Sequence, residues 1–177
     1  MALKPTIYKF SISLSDLDRD YYDALNLTVA QHPSESSERM MARVLAYCIN
    51  AQERLGFTKG LSETEEPDLW VKSLDDQIEL WIDVGEPSLD RLKKATRQSQ
   101  QTRVYSFNRK SPTWWQQLQL GRAKLEVMVF RFDWPAVQEL ATLLERSMVM
   151  SVTITEASAY IATERGECEV GWQLLES

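Results

Sequence analysis

The residues best suited to chemistry in this 177-residue chain are carboxylates. A single histidine, His32, excludes sites built on two or more imidazoles, including HExxH zinc centres. His32 is followed by Pro33 at an apparent helix entry, which suits a boundary residue better than a general base. The two cysteines, Cys48 and Cys168, form no disulfide framework and, with His32, no usual zinc spacing. The six glycines make neither GxGxxG nor GxxxxGK[ST], so neither familiar phosphate loop is present. A catalytic metal here would need oxygen ligands, which points to Mg²⁺, with Mn²⁺ as a substitute.

The acids that could supply them sit in QIELWIDVG. Read as a strand, its alternation puts Ile78, Leu80, Ile82 and Val84 on a core face and Glu79, Trp81 and Asp83 on the other. Asp68, at the start of the preceding strand, lies within reach of that second face. Carboxylates gathered together repel, and a divalent cation between them relieves the repulsion. Glu38 is a further candidate, since helical spacing places it on the apolar stripe of Met41, Leu45 and Cys48. The alternatives are a solvated face for the strand acids and helix-dipole stabilisation for Glu38.

Charge is strongly segregated. Residues 91–124 hold nine bases (Arg91, Lys93, Lys94, Arg97, Arg103, Arg109, Lys110, Arg122 and Lys124) and no acid, against a net charge of −6 for the whole chain. The remainder carries 11 bases against 26 acids. Tyr105, Phe107, Trp114 and Trp115 lie among those bases, a composition suited to phosphate contact and base stacking. The competing expectation is that this segment pairs with acids of the same molecule.

Pattern supplies the elements that must position these groups. IYKFSISLSD and YYDALNLTVAQ alternate as an N-terminal β-hairpin, and Pro33-Ser34 announce a helix from about Ser36 to Leu55, closed by Gly56 and Gly60. PDLWVKS and QIELWIDVG are strands; Pro87-Ser88 opens the helix LDRLKKATRQSQQ. RVYSFN is a strand, SPTWWQQLQ a short helix, KLEVMVFRF a strand and DWPAVQELATLLERS a helix with Pro135 in its first turn. Three short C-terminal strands follow. Residues 1–177 therefore read as a single α/β domain with a central mixed β-sheet flanked by helices. The absence of a long apolar run or a signal-like start predicts a soluble, cytoplasmic protein with no membrane partner.

HPSESSERMMARVLAY, EPDLW, IELWIDVGEPSLDRLKKA, the VYSFN strand, the WW pair and the IYKFSISLSDLDRDYY start resemble the bacterial YaeQ family over nearly the whole chain. The resemblance implies a variant of the restriction-endonuclease-like, PD-(D/E)XK fold. It makes Pro67-Asp68 the PD element and sets its acidic partner on the next strand, at Asp83 or Glu79. Glu38 then matches the acid of the first core helix, with Asp68, Glu79, Asp83 and Glu38 as the implied metal ligands. Neither strand candidate has lysine at its third position, which is Gly85 or Trp81, so the following helix, with Lys93 and Lys94, would have to supply it.

Two functions are thereby expected. One is a Mg²⁺-dependent nuclease-like phosphodiesterase with Asp68, Asp83 and Lys94 or Lys93 in the catalytic roles, and Arg91, Arg97, Arg103, Arg109 and Lys110 on the nucleic acid. The other is a non-catalytic nucleic-acid- or protein-binding regulatory protein that retains the nuclease fold.

Overall fold

The computed structural model describes residues 4–59, 65–119, 121 and 125–175. A hairpin of two eleven-residue strands, β1 (Thr6–Asp16) and β2 (Tyr21–Gln31), comes first, followed by helix α1 (Ser37–Asn50). Three strands, β3 (Leu55–Phe57), β4 (Leu69–Lys72) and β5 (Ile78–Val84), lead to α2 (Leu89–Gln98) and β6 (Ser99–Ser106). Then come α3 (Ser111–Gln119), β7 (Val127–Phe132), α4 (Trp134–Thr142) and the strands β8 (Ser147–Thr155), β9 (Ser158–Thr163) and β10 (Gly166–Leu175).

The helices start where capping chemistry allows. Ser36, in extended conformation, accepts from Arg39 N at 3.1 Å, Ser88 accepts from Arg91 N at 3.2 Å, and Asp133 accepts from Ala136 N at 3.3 Å. The α1 cap is thus Ser36, two residues beyond the Pro33-Ser34 signal. His32 Nδ1 instead closes a local turn with Ser34, 2.7 Å from Oγ and 3.0 Å from its N–H, a boundary role as expected. α1 also stops at Asn50, five residues before the expected Leu55, because Leu55–Phe57 pairs with β4 as a strand. Gly60, the other expected terminator, lies outside the described residues.

Ten strands form one mixed sheet in the order β2-β1-β8-β9-β10-β7-β6-β5-β4-β3. Only β1–β8, β5–β6 and β6–β7 are parallel pairs. A continuous apolar core takes side chains from all ten strands and from α1 and α4, so the sheet curls around these two helices, nearly closed in the manner of a barrel. α1 is accordingly buried on all sides from Met40 to Ala46, rather than along one stripe. On the other face of β6 and β7, Leu92, Val104, Trp115, Leu118 and Val129 make a second core under α2 and α3.

This arrangement covers β5 on both faces: Trp81 and Asp83 are as buried as Leu80 and Ile82. The acidic face, for which a solvated position was the alternative, is closed by α2, whose Arg91 guanidinium lies 5.8 Å from the Trp81 ring centroid. Because β5, β6 and β7 run parallel, α2, α3 and α4 all begin at their carboxyl ends, where open α/β sheets hold their ligands.

Leu45 sits at the centre of the enclosed helix. Leu45→Ala is expected to lower the unfolding free energy by about 2–5 kcal/mol, measured by urea denaturation. A cost typical of a surface position would show that α1 is not enclosed.

Candidate functional site

Asp68 and Asp83 do meet at the carboxyl end of β5, as the sequence suggested. The Asp68 N–H donates to Ile82 O at 3.0 Å, and its Oδ2 accepts the Val84 N–H at 2.7 Å. Gly85, at φ +118, then turns the chain away toward α2, a conformation that a side chain would strain. Burial raises the Asp83 carboxyl above the usual carboxylate range, the Asp68 charge adds to this, and hydrogen bonds from Arg91 oppose it.

Each carboxylate is matched by an arginine. Arg91 grips Asp83 with two bonds, Nε to Oδ2 at 2.8 Å and Nη2 to Oδ1 at 3.1 Å, and also donates to Glu66 O at 2.8 Å. Arg39 donates to Asp68 Oδ1 at 2.7 Å, to Glu35 Oε2 at 2.6 Å and to Val84 O at 3.2 Å. Arg43 completes the chain, holding both Glu35 oxygens at 2.8 and 2.7 Å and the edge carbonyl Ala30 O of β2 at 3.0 Å. The Glu35 and Arg43 side chains are 1% and 4% exposed, so this pair is fully desolvated.

Glu35 was missed in the sequence, where Glu38 was chosen instead. Glu38 is half-buried in the first turn of α1 and takes no part in the network. The overlooked signal was Glu35, Arg39 and Arg43 at i, i+4 and i+8, the spacing of a charge ladder on one helical face. Glu79 lies at the opposite end of β5 from Asp83 and stands 3.7 Å from Arg54. Lys94 pairs with Glu65, and Lys93 is exposed. Burial pushes the Cys48 thiol up to about 12 and the Cys168 thiol to about 11, so neither offers a thiolate nucleophile.

The donor set is therefore committed. All six oxygens of Glu35, Asp68 and Asp83 accept from arginine or from a backbone N–H. Among the described residues no three His, Cys, Asp or Glu side chains are grouped as a cation would need. In this arrangement the carboxylates do not fit Mg²⁺ or Mn²⁺.

The basic segment is divided by the fold. Arg91 lies at the carboxyl end of β5, and exposed Arg109 and Lys110 lie between β6 and α3 at that same end. Arg97 is at the far end of α2, and Arg103 reaches inward to Asn50 at the end of α1. Arg122 and Lys124 lie outside the described residues.

The sequence model described as YaeQ protein matches residues 1–172. The chain belongs to the YaeQ family. Relatives described as "Uncharacterized protein YaeQ" are 38% identical in Salmonella typhi and 36% identical in Escherichia coli K12, each over 98% of both chains. The crystal structure of YaeQ protein from Xanthomonas axonopodis pv. citri is similar with a TM-score of 0.91 at 34% identity, covering 98% of this chain and 99% of that one. YaeQ protein from Pseudomonas syringae gives 0.92 at 36%, covering 98% and 97%. The curled mixed sheet is thus common to these YaeQ proteins. Among the described residues no helix is long and apolar enough to cross a membrane.

Removing Glu35 takes the carboxylate from the buried Arg43 guanidinium and one of two carboxylates from Arg39. Glu35→Ala is expected to cost about 3–5 kcal/mol in urea unfolding, against less than about 1 kcal/mol for the peripheral pair acid in Glu79→Ala. Equal costs would deny the network its structural role.

Asp83 has the opposite sign from an ordinary paired carboxylate. Its folded-state pKa is raised, so its contribution to stability is fully present below the unfolded value and is lost as pH rises through the folded one. The stability of the natural chain relative to Asp83→Asn should therefore fall as pH is raised from about 4. A relative stability that climbs over that window would contradict the assignment.

Proposed function

We propose that this protein binds nucleic acid without hydrolysing it, on a framework related to the restriction-endonuclease-like, PD-(D/E)XK fold. One observation carries the reading: the acid pair that such chemistry would use is neutralised, oxygen by oxygen, by Arg39, Arg91 and the Val84 N–H. Of the two lysines expected to serve the pair, Lys94 is engaged by Glu65 and Lys93 is exposed. At the same end of the sheet Arg109 and Lys110 face solvent just before the first turn of α3, among the exposed acids Asp90 in the first turn of α2 and Asp133 at the start of α4. Helix N-termini and exposed bases suit phosphate oxygens.

The second reading, a Mg²⁺-dependent phosphodiesterase, is favoured by the meeting of Asp68 with Asp83 and by the raised Asp83 pKa. It requires Arg39 and Arg91 to leave the carboxylates before a cation enters. Lys93 or Lys94 would then have to swing toward the scissile phosphate.

Fluorescence anisotropy with labelled single- and double-stranded oligonucleotides separates the readings. Binding should weaken steeply with salt, and Arg109→Ala/Lys110→Ala should reduce the slope of log K against log salt by about 2. The oligonucleotides should stay intact in Mg²⁺ or Mn²⁺. Cleavage that disappears in Asp83→Ala would replace this reading with the phosphodiesterase, and salt-independent binding would remove both.

A further inference from the structure

The amino ends of β5, β6 and β7 border two adjoining clefts of about 450 and 410 Å³ that share Gln100. Volumes of this size hold small ligands. They lie at the opposite end of the parallel strands from Asp83, Arg109 and Lys110. The smaller cleft is lined by Gln101, Arg103, Glu126 and Met128 among others.

Register fixes how these residues face one another. Arg103 pairs with Met128 and Thr102 with Val127 across β6 and β7. Alternation then puts Gln101 and Arg103 on the same face as Met128 and Glu126, while Thr102 and Val104 turn toward α2 and α3. Two residues along and one strand across separate the Arg103 and Glu126 backbones by about 8 Å. Arg103 is half-buried and, although it interacts with the Tyr105 hydroxyl, incompletely satisfied. One terminal nitrogen is held by Asn50 Oδ1, the other reaches Gln101 Oε1 only at 3.5 Å, and Nε is buried with no partner. An unpaired buried donor costs stability, so this one points to an absent acceptor. The Gln101 side chain is on an exposed residue and can move off Nη2, and a ligand that takes the Nε–Nη2 edge with two adjacent acceptors also requires Arg103 to turn its buried Nε toward the cleft.

We propose that this cleft binds a guanine base. The Arg103 fork takes O6 and N7, the pairing its geometry favours, and the Glu126 carboxylate takes N1–H and the 2-amino group from the other side. Met128 and Leu125 supply apolar contact to the ring. An arginine and a glutamate in one cleft balance in charge, which suits a neutral base rather than a phosphate. Adenine would set its 6-amino donor against the Arg103 donors and carries no N1–H for Glu126, so the site discriminates by mismatch as well as by fit.

Calorimetry of the full chain with GMP, IMP and AMP tests this. GMP should bind, IMP, which lacks the 2-amino group, about tenfold more weakly, and AMP more weakly still. Glu126→Gln, on an exposed residue, should cut GMP affinity at least about tenfold, and Arg103→Lys, which keeps charge but loses the fork, should do the same with the thermal transition retained. Guanosine, which carries no phosphate, should keep the preference over adenosine, separating this cleft from the edge proposed to contact phosphate. Equal affinity for AMP and GMP, GMP binding that survives Glu126→Gln, or no GMP binding at millimolar concentration would each overturn the assignment.

Discussion

Helix α1 is enclosed by a sheet that wraps around it, so its polar ends and its one buried basic side chain must be satisfied by protein rather than by water. Arginines meet that need, each binding a carboxylate together with a backbone carbonyl. Arg19, in the turn after β1, bonds Asp16 and donates to Cys48 O and Ala51 O, filling the place of a basic residue that the last turn of α1 lacks. At the other end Arg43 holds Glu35 and the β2 edge carbonyl Ala30 O, while Arg39 joins Glu35 to Asp68 and Val84 O. The hairpin edge, the helix and the central strand are thus tied through one run of alternating charge. The net gain of such buried pairs over apolar packing is small, but an unmatched member is costly, so the network restricts how the helix can seat.

The same network decides what the acid pair does. β4 begins only at Leu69, leaving the Val84 peptide without a strand neighbour on that side. Asp68 takes the Val84 N–H and Arg39 donates to the Val84 carbonyl, so an ion pair continues the ladder where the strand has ended. Asp68 is therefore needed by the fold whatever else it does. Asp83, two-fold bonded by Arg91, ties β5 to the first turn of α2 in the same way. Geometry that gathers carboxylates for chemistry and geometry that closes a sheet around a helix differ here only in which group accepts the carboxylate lone pairs.

Much of this fold was legible in the sequence because its cues are local. Alternation marked the hairpin, β4 and β5, and the three C-terminal strands; Ser88 and Pro135 marked the starts of α2 and α4. The three-residue β3 carried no such period, since its Leu55-Gly56-Phe57 is defined by pairing with β4 and not by pattern. Alternation also placed Glu79 and Asp83 on one face, but four residues of strand separate them by about 13 Å, so a shared face did not mean a shared site. Glu35 escaped because it precedes the cap and its partners emerge only when α1 is built from Ser36. The run of bases from Arg91 onward was scattered for a related reason: α2 runs down the sheet, β6 runs back up, and neighbours in sequence finish at opposite ends.

That scattering leaves a simple charge pattern at the carboxyl ends of β5 and β6. The buried network holds Arg39, Arg43 and Arg91 against Glu35, Asp68 and Asp83, so it is balanced when all are ionised, and protonation of Asp83 would add positive charge. The paired acids therefore do not cancel Arg109 and Lys110, although Asp90 in the first turn of α2, Asp133 at the start of α4, and Glu66 and Glu86 beside the pair add negative charge at this end. The proposed contact requires an anionic partner to approach a chain of net charge −6 through Arg109 and Lys110. Had the paired carboxylates been left without arginines, they would add to that negative charge and offset the exposed bases further. The arginines that occupy the acid pair thus also remove its charge from the edge where phosphate contact is proposed.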